Sequence, residues 1–193
     1  MGAQIHGTVD FNENKRQGLQ FSGEASANIK KIMSRFPEGK EKAALIPILH
    51  IAQAENEGWL SAEVMDLVAD ILSIQSIEVF EVASFYSMFN LKPVGKCVLE
   101  VCRTSSCWAV GSEDTIAYIA QKLNIREGET TADGMFTLKT VECLGSCGSA
   151  PMMQVGAEYH ENLTDSKVDA LLDRFRNEGI RKSYTDLNPI HSK

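Results

Sequence analysis

Four of the five cysteines in this chain form two close pairs, Cys102-x4-Cys107 and Cys143-x3-Cys147. Thiolates converging from two loops can hold a metal ion or an iron-sulfur cluster, because softness and negative charge make them strong ligands for iron and zinc. Whether such pairs close as disulfides instead depends on the compartment. The amino terminus, MGAQIHGTVDFNENK, has no basic segment followed by an apolar one, so the expectation is a cytoplasmic chain. There thiols stay reduced and clustered cysteines serve as ligands or catalytic groups. A structural zinc site favours C-x2-C knuckles, and a dithiol redox motif needs the same two-residue spacing, which is absent here. Zinc therefore stays open as the lesser option.

The fifth cysteine, Cys97, repeats the first spacing as Cys97-x4-Cys102. It falls in an extended run, Lys96 to Cys102, where side chains alternate between faces. Cys97, Leu99 and Val101 then share one face and Val98, Glu100 and Cys102 the other. Cys97 is expected to pack as a small hydrophobe. His50 lies in a helical apolar pattern and His160 in a strand-like one, neither with a second histidine at ligand spacing, so both are set aside as metal ligands.

The elements that position these cysteines divide near Asn90-Leu-Lys-Pro-Val-Gly95. Before it, periodicity is helical. Ile29, Ile32, Met33 and Phe36 form one stripe, ending at Pro37. Ala44, Leu45, Ile48, Leu49 and Ala52 form a second, in which Pro47 predicts a kink or a late start. Ser61 is the expected cap of a third helix through Val64, Leu67, Val68, Ile71 and Leu72, and Ser76 of a fourth through Val79, Ala83 and Tyr86. Short connections imply an antiparallel helical bundle.

After Gly95 the expected order is strand, helix, strands, helix. Ser112 should cap a helix carrying Ile116, Ile119 and Leu123. Asp133-Gly134 should turn into a strand from Met135 to about Cys143, and Gly156 should separate two short strands. Thr164 and Gly179 should bound a last helix. The fold class is α+β: a helical bundle over 23–92, an α/β domain of thioredoxin size over 93–179, an amino-terminal extension over 1–22 and a polar tail over 180–193. Each cysteine pair falls at a strand end, Cys107 in a loop before the helix at Ser112, whose dipole would favour negative charge. Gly145 and Gly148 should permit the tight path between the second pair.

Charge and hydropathy exclude some functions. A net charge of −7 with scattered lysines and arginines argues against nucleic acid. No apolar run reaches the roughly 18 residues of a membrane span, so no direct membrane insertion is expected.

The segments ALIPILHIAQ (44–53), EVASFYSMF (81–89), VCRTSSCWAVG (101–111) and VECLGSCGSAPMMQV (141–155) resemble the family of 2Fe-2S subunits of bacterial NADH:quinone oxidoreductase, or respiratory complex I, in family order from about residue 28 to 175. These subunits are thioredoxin-like ferredoxins behind a helical bundle. The resemblance implies one 2Fe-2S cluster on Cys102, Cys107, Cys143 and Cys147, each pair holding one iron. Cys97 matches no ligand. It also implies a partner flavoprotein that binds FMN and NADH near the cluster, further iron-sulfur subunits, and a place in the cytoplasmic peripheral arm of an inner-membrane complex. The chain would then act as an electron carrier within an oxidoreductase. It lacks the G-x-G-x-x-G fingerprint and would have no NADH site or catalytic residue of its own. The alternatives are the equivalent diaphorase subunit of an NAD-linked hydrogenase or formate dehydrogenase, and a zinc-stapled interaction module. Phe80, Phe85, Tyr86, Met88 and Phe89 are more large apolar residues than a short bundle buries, so part of that surface is expected to meet a partner.

Overall fold

A computed structural model describes residues 19–179, so the expected carboxy-terminal tail and nearly all of the expected amino-terminal extension lie outside the described residues. The chain separates between Pro93 and Val94 into two compact units. The first is helical: α1 (Gly23–Met33), a 3-10 turn (Glu41–Ala44), α2 (Leu45–Glu55), α3 (Ala62–Leu72) and α4 (Ser76–Phe85). Pro47 sits in the first turn of α2, where its missing N–H costs no helical bond, so the late start rather than the kink is what forms. The Ser61 hydroxyl accepts from the Val64 N–H and caps α3. The cap of α4 is Gln75 and not Ser76, because Gln75 and Glu78 satisfy each other's backbone donors in a capping box.

Ile48, Leu49, Val68 and Val79 are fully buried in the core of this unit. Burial of each such side chain contributes roughly 1.5–3 kcal/mol. Of the five residues expected to crowd the bundle, Phe89 is buried and Phe80 and Met88 pack against the core. Phe85 is 80% exposed and Tyr86 40%, and the two rings meet edge to face at 5.0 Å.

The second unit holds β1 (Cys97–Cys102), α5 (Ser105–Ala109), α6 (Ser112–Leu123), β2 (Phe136–Val141), a 3-10 turn (Cys147–Ser149), β3 (Met153–Val155), β4 (Glu158–His160) and α7 (Asp165–Glu178). The sheet order is β2-β1-β3-β4, with β1 parallel to β2 and antiparallel to β3. Cys97, Leu99 and Val101 face a core of Phe136, Leu138, Met153, Val155, Ile119 and Phe175, the alternation expected of a strand with one buried face. On the other face Glu100 is held by Lys139 at 3.4 Å. Burial raises the Glu100 carboxyl above its ordinary range, and the Lys139 ammonium opposes that rise.

Two local expectations are corrected. Ser112 does not cap α6: Gly111 occupies that place, and Ser112 is the fully buried first residue of the helix. The loop expected to carry Cys107 contains a short helix, α5, that five residues of Ser-Ser-Cys-Trp-Ala gave no periodicity to reveal. Thr164 and Gly179 bound α7 as expected. Among the described residues no helix is long and apolar enough to cross a membrane.

Gly95 lies against the start of β2, donating its N–H to Thr137 Oγ1 at 2.6 Å. A Cβ there would meet backbone carbons of Phe136 and Met135 at 2.9 and 3.0 Å. Gly95→Ala should therefore cost about 1–3 kcal/mol by overpacking. A lower urea midpoint of the second unit is the expected result; an unchanged midpoint would show that the two strands separate freely there.

Candidate metal centre

The parallel pairing of β1 and β2 puts their carboxy-terminal ends side by side, Cys102 opposite Val141. Each strand hands the chain to a cysteine-bearing loop at that edge. Cys102 is the last residue of β1; its N–H donates to Met152 O at 3.2 Å, and Arg103 N–H to Val141 O at 3.1 Å. The chain then turns into α5, which carries Cys107. From β2 it passes through Glu142 to Cys143 and doubles back, with Gly145 at φ 87°, a left-handed conformation that only glycine adopts without strain. Gly148 has no such requirement.

Cys102 and Cys107 are buried, in a small cluster with Met152 against which Leu144 and Ala150 pack. Cys143 and Cys147 are exposed. The Cys143 and Cys147 sulfurs stand 3.6 Å apart. Two thiolates sharing one tetrahedral metal at about 2.3 Å lie about 3.7 Å apart, so this pair has the spacing to bind one ion. Cys102 and Cys107 lie near enough for each to influence the other's charge, and Cys147 near enough to influence that of Cys107.

Among the described residues no three His, Cys, Asp or Glu side chains close on a single ion. A two-iron cluster asks only two protein thiolates of each iron, because bridging sulfides complete each tetrahedron. The donor set, two thiol pairs at one sheet edge with an apolar wall of Met152 and Leu144, fits such a group.

Electrostatics separate the two buried thiols. Burial alone would raise Cys102, but the Thr104 hydroxyl and N–H, the Leu144 N–H and the Cys107 thiol together bring it below the ordinary thiol range. Thr104 Oγ1 is 3.3 Å from the Cys102 sulfur. Burial, then the Cys102 side chain and its charge, push Cys107 up to about 11 against an N–H from Met152. Gly145 N–H reaches the Cys143 sulfur at 3.4 Å. The groups that stabilise charge on these sulfurs are thus the Thr104 hydroxyl and loop N–H donors.

The remaining residues singled out lie apart from this edge or serve packing. Cys97 is in the core on the opposite sheet face. His50 stacks at 5.1 Å on Phe89 in the helical unit. His160 is buried against Phe175, its Nε2 3.9 Å from Glu158, and burial lowers its pKa. Sequence reasoning missed Thr104, Tyr159 and Glu161, which brace the cysteine loops. A threonine two residues after a cysteine, and serines at 146 and 149 around Cys147, were the available signals.

The model of the thioredoxin-like [2Fe-2S] ferredoxin family matches residues 29–176. A subunit of the NADH-quinone oxidoreductase of Rickettsia bellii is 42% identical over 147 residues, which cover 76% of this chain and 88% of that protein. The mitochondrial NADH dehydrogenase [ubiquinone] flavoprotein 2 of Dictyostelium discoideum is 41% identical over 164 residues, 85% of this chain and 66% of that one. An NAD+-reducing [NiFe]-hydrogenase in its H2-reduced state shares the fold over 70% of this chain, with a TM-score of 0.61 and 21% identity. This chain spans only 22% of that hydrogenase chain.

Exposure sets the order in which the thiols should react. In reduced, metal-free protein, iodoacetamide should label Cys143 and Cys147 first, with Cys97, Cys102 and Cys107 following on unfolding. Peptide mass spectrometry checks this. Equal labelling of Cys143 and Cys107 would contradict the placement of the two loops.

Proposed function

The chain belongs to the thioredoxin-like [2Fe-2S] ferredoxin family, and we propose that it is the 2Fe-2S electron-carrying subunit of an NADH:quinone oxidoreductase, the counterpart of the matching subunit in its bacterial relatives. The observation that carries this reading is the coincidence of that match with four thiols from two loops at one edge of a parallel strand pair. Cys102 and Cys107 would hold one iron and Cys143 and Cys147 the other. The cluster, when bound, supplies one-electron chemistry, taking up and giving back a single electron with no bond made or broken in the protein.

The protein's own groups set the terms. Four thiolates on a two-iron cluster give roughly −2 formal charge oxidised and −3 reduced, so N–H donors from Thr104, Leu144, Gly145 and Met152 favour the reduced form. Met152 and Leu144 keep water from the buried sulfurs and so disfavour added charge. The exposed side, at Cys143 and Cys147, is the side from which an electron would arrive or leave.

The donor of electrons would be a flavoprotein carrying FMN and the NADH site, in the peripheral, cytoplasmic arm of the complex, with further iron-sulfur subunits as acceptors. The exposed Phe85 and Tyr86 rings on the helical unit supply a docking surface of the aromatic kind that protein interfaces favour. The diaphorase role in an NAD-linked hydrogenase is favoured less, because it rests on fold likeness at 21% identity against 42% to the Rickettsia bellii oxidoreductase sequence.

Dithionite-reduced protein should show the EPR signal of a reduced 2Fe-2S centre with a midpoint near the roughly −400 mV of all-thiolate ferredoxins. Cys143→Ala should lose that signal and Cys97→Ala should keep it. NADH oxidation should require the cognate flavoprotein. The reverse pattern in the two variants, or a midpoint above zero, would overturn the ligand assignment.

A further inference from the structure

The second cysteine loop has little regular structure to hold it, only the 3-10 turn Cys147–Ser149. What holds it is the strand opposite. Tyr159 OH donates to Leu144 O at 2.6 Å. Just beyond β4, Glu161 accepts from two loop hydroxyls on one carboxylate oxygen, Ser146 Oγ and Ser149 Oγ, the latter at 2.5 Å. Those hydroxyls are 2.8 Å from each other and lie on either side of Cys147. The backbone completes the brace, with Asn162 N–H donating to Ser149 O at 2.7 Å and Leu163 N–H to Pro151 O at 2.9 Å.

Glu161 is itself anchored. Its backbone carbonyl accepts from Lys167 Nζ on α7, and the same ammonium lies near the carboxylate. Donation by Ser146 and then Ser149 holds the carboxyl below its usual range. An anion is thereby fixed beside the loop that carries Cys143 and Cys147, although the cluster proposed there already bears negative charge. A purely structural brace would not need a carboxylate, since a neutral amide accepts the same two hydrogen bonds.

We propose that Glu161 is a positioning residue for the cluster: its carboxylate clamps Ser146 and Ser149 around Cys147 and places a fixed negative charge that lowers the reduction potential of the group held there. The clamp follows from the hydrogen bonds alone. The effect on potential rests on the cluster reading above: a nearby anion opposes the addition of an electron to an already anionic centre.

The test uses the full chain with Glu161→Gln and Glu161→Ala. In metal-free protein, amide hydrogen exchange across residues 143–149 should quicken tenfold or more in Glu161→Ala and stay near the parent rate in Glu161→Gln. In cluster-loaded protein, the EPR-monitored midpoint of Glu161→Gln should shift to more positive potential with an unchanged line shape. Unaltered exchange in Glu161→Ala overturns the clamp, and an unaltered midpoint in Glu161→Gln overturns the electrostatic role. Should Glu161→Ala fail to fold, the Ser146→Ala, Ser149→Ala double variant breaks the same contacts from the loop side and is held to the same exchange criterion. If the parent chain took up no cluster, the cluster reading would fail while the exchange result still decided the clamp.

Discussion

Parallel pairing of β1 with β2 is the constraint from which the candidate site follows. Antiparallel neighbours would send their carboxy-terminal ends to opposite edges of the sheet and leave the two cysteine pairs a strand length apart. In the observed register Cys102 stands opposite Val141, so a terminal cysteine and a loop starting two residues past Val141 begin at the same place. A parallel connection needs a crossover, and α6 supplies it between the two strands. The core beneath, with Leu99, Leu138 and Phe136 fully buried, locks the register. A slip by one residue would turn every one of these side chains to the other face.

The two pairs meet at that edge in unequal surroundings, and the inequality is chemically useful. Cys102 and Cys107 lie under Met152, where burial penalises charge and each N–H donor matters more. Cys143 and Cys147 are exposed, on a loop shaped by Gly145 and braced from β4. One side of a centre held between them would be insulated and the other open to a partner. That same edge also carries exposed Trp108 and Tyr159.

Much of this was legible in the sequence, for identifiable reasons. Strand alternation separated Cys97 from Cys102 because the side-chain period of a strand is two, and the structure puts Cys97 in the sheet core and Cys102 beside Cys107 and Met152. Amphipathic stripes located the four helices of the first unit, and capping chemistry found Ser61 and Thr164. Where local signals competed, reading failed. Ser76 and Ser112 have the right side chain for a cap, but a capping box at Gln75 and a left-handed glycine at 111 won. The helix α5 is too short to show a period. Donors onto sulfur, and the Glu161 brace, arise from backbone paths and contacts between β4 and the loop, which no single-sequence periodicity encodes.

The central claim, that these four cysteines hold one two-iron cluster, is tested most directly by Mössbauer spectroscopy of iron-57-enriched protein with parallel iron, sulfide and zinc analysis. The account predicts equal iron and sulfide, no stoichiometric zinc, and the diamagnetic ground state of an antiferromagnetically coupled ferric pair, giving way on one-electron reduction to a localised ferrous and a ferric site. Stoichiometric zinc in a colourless, iron-free protein would contradict it.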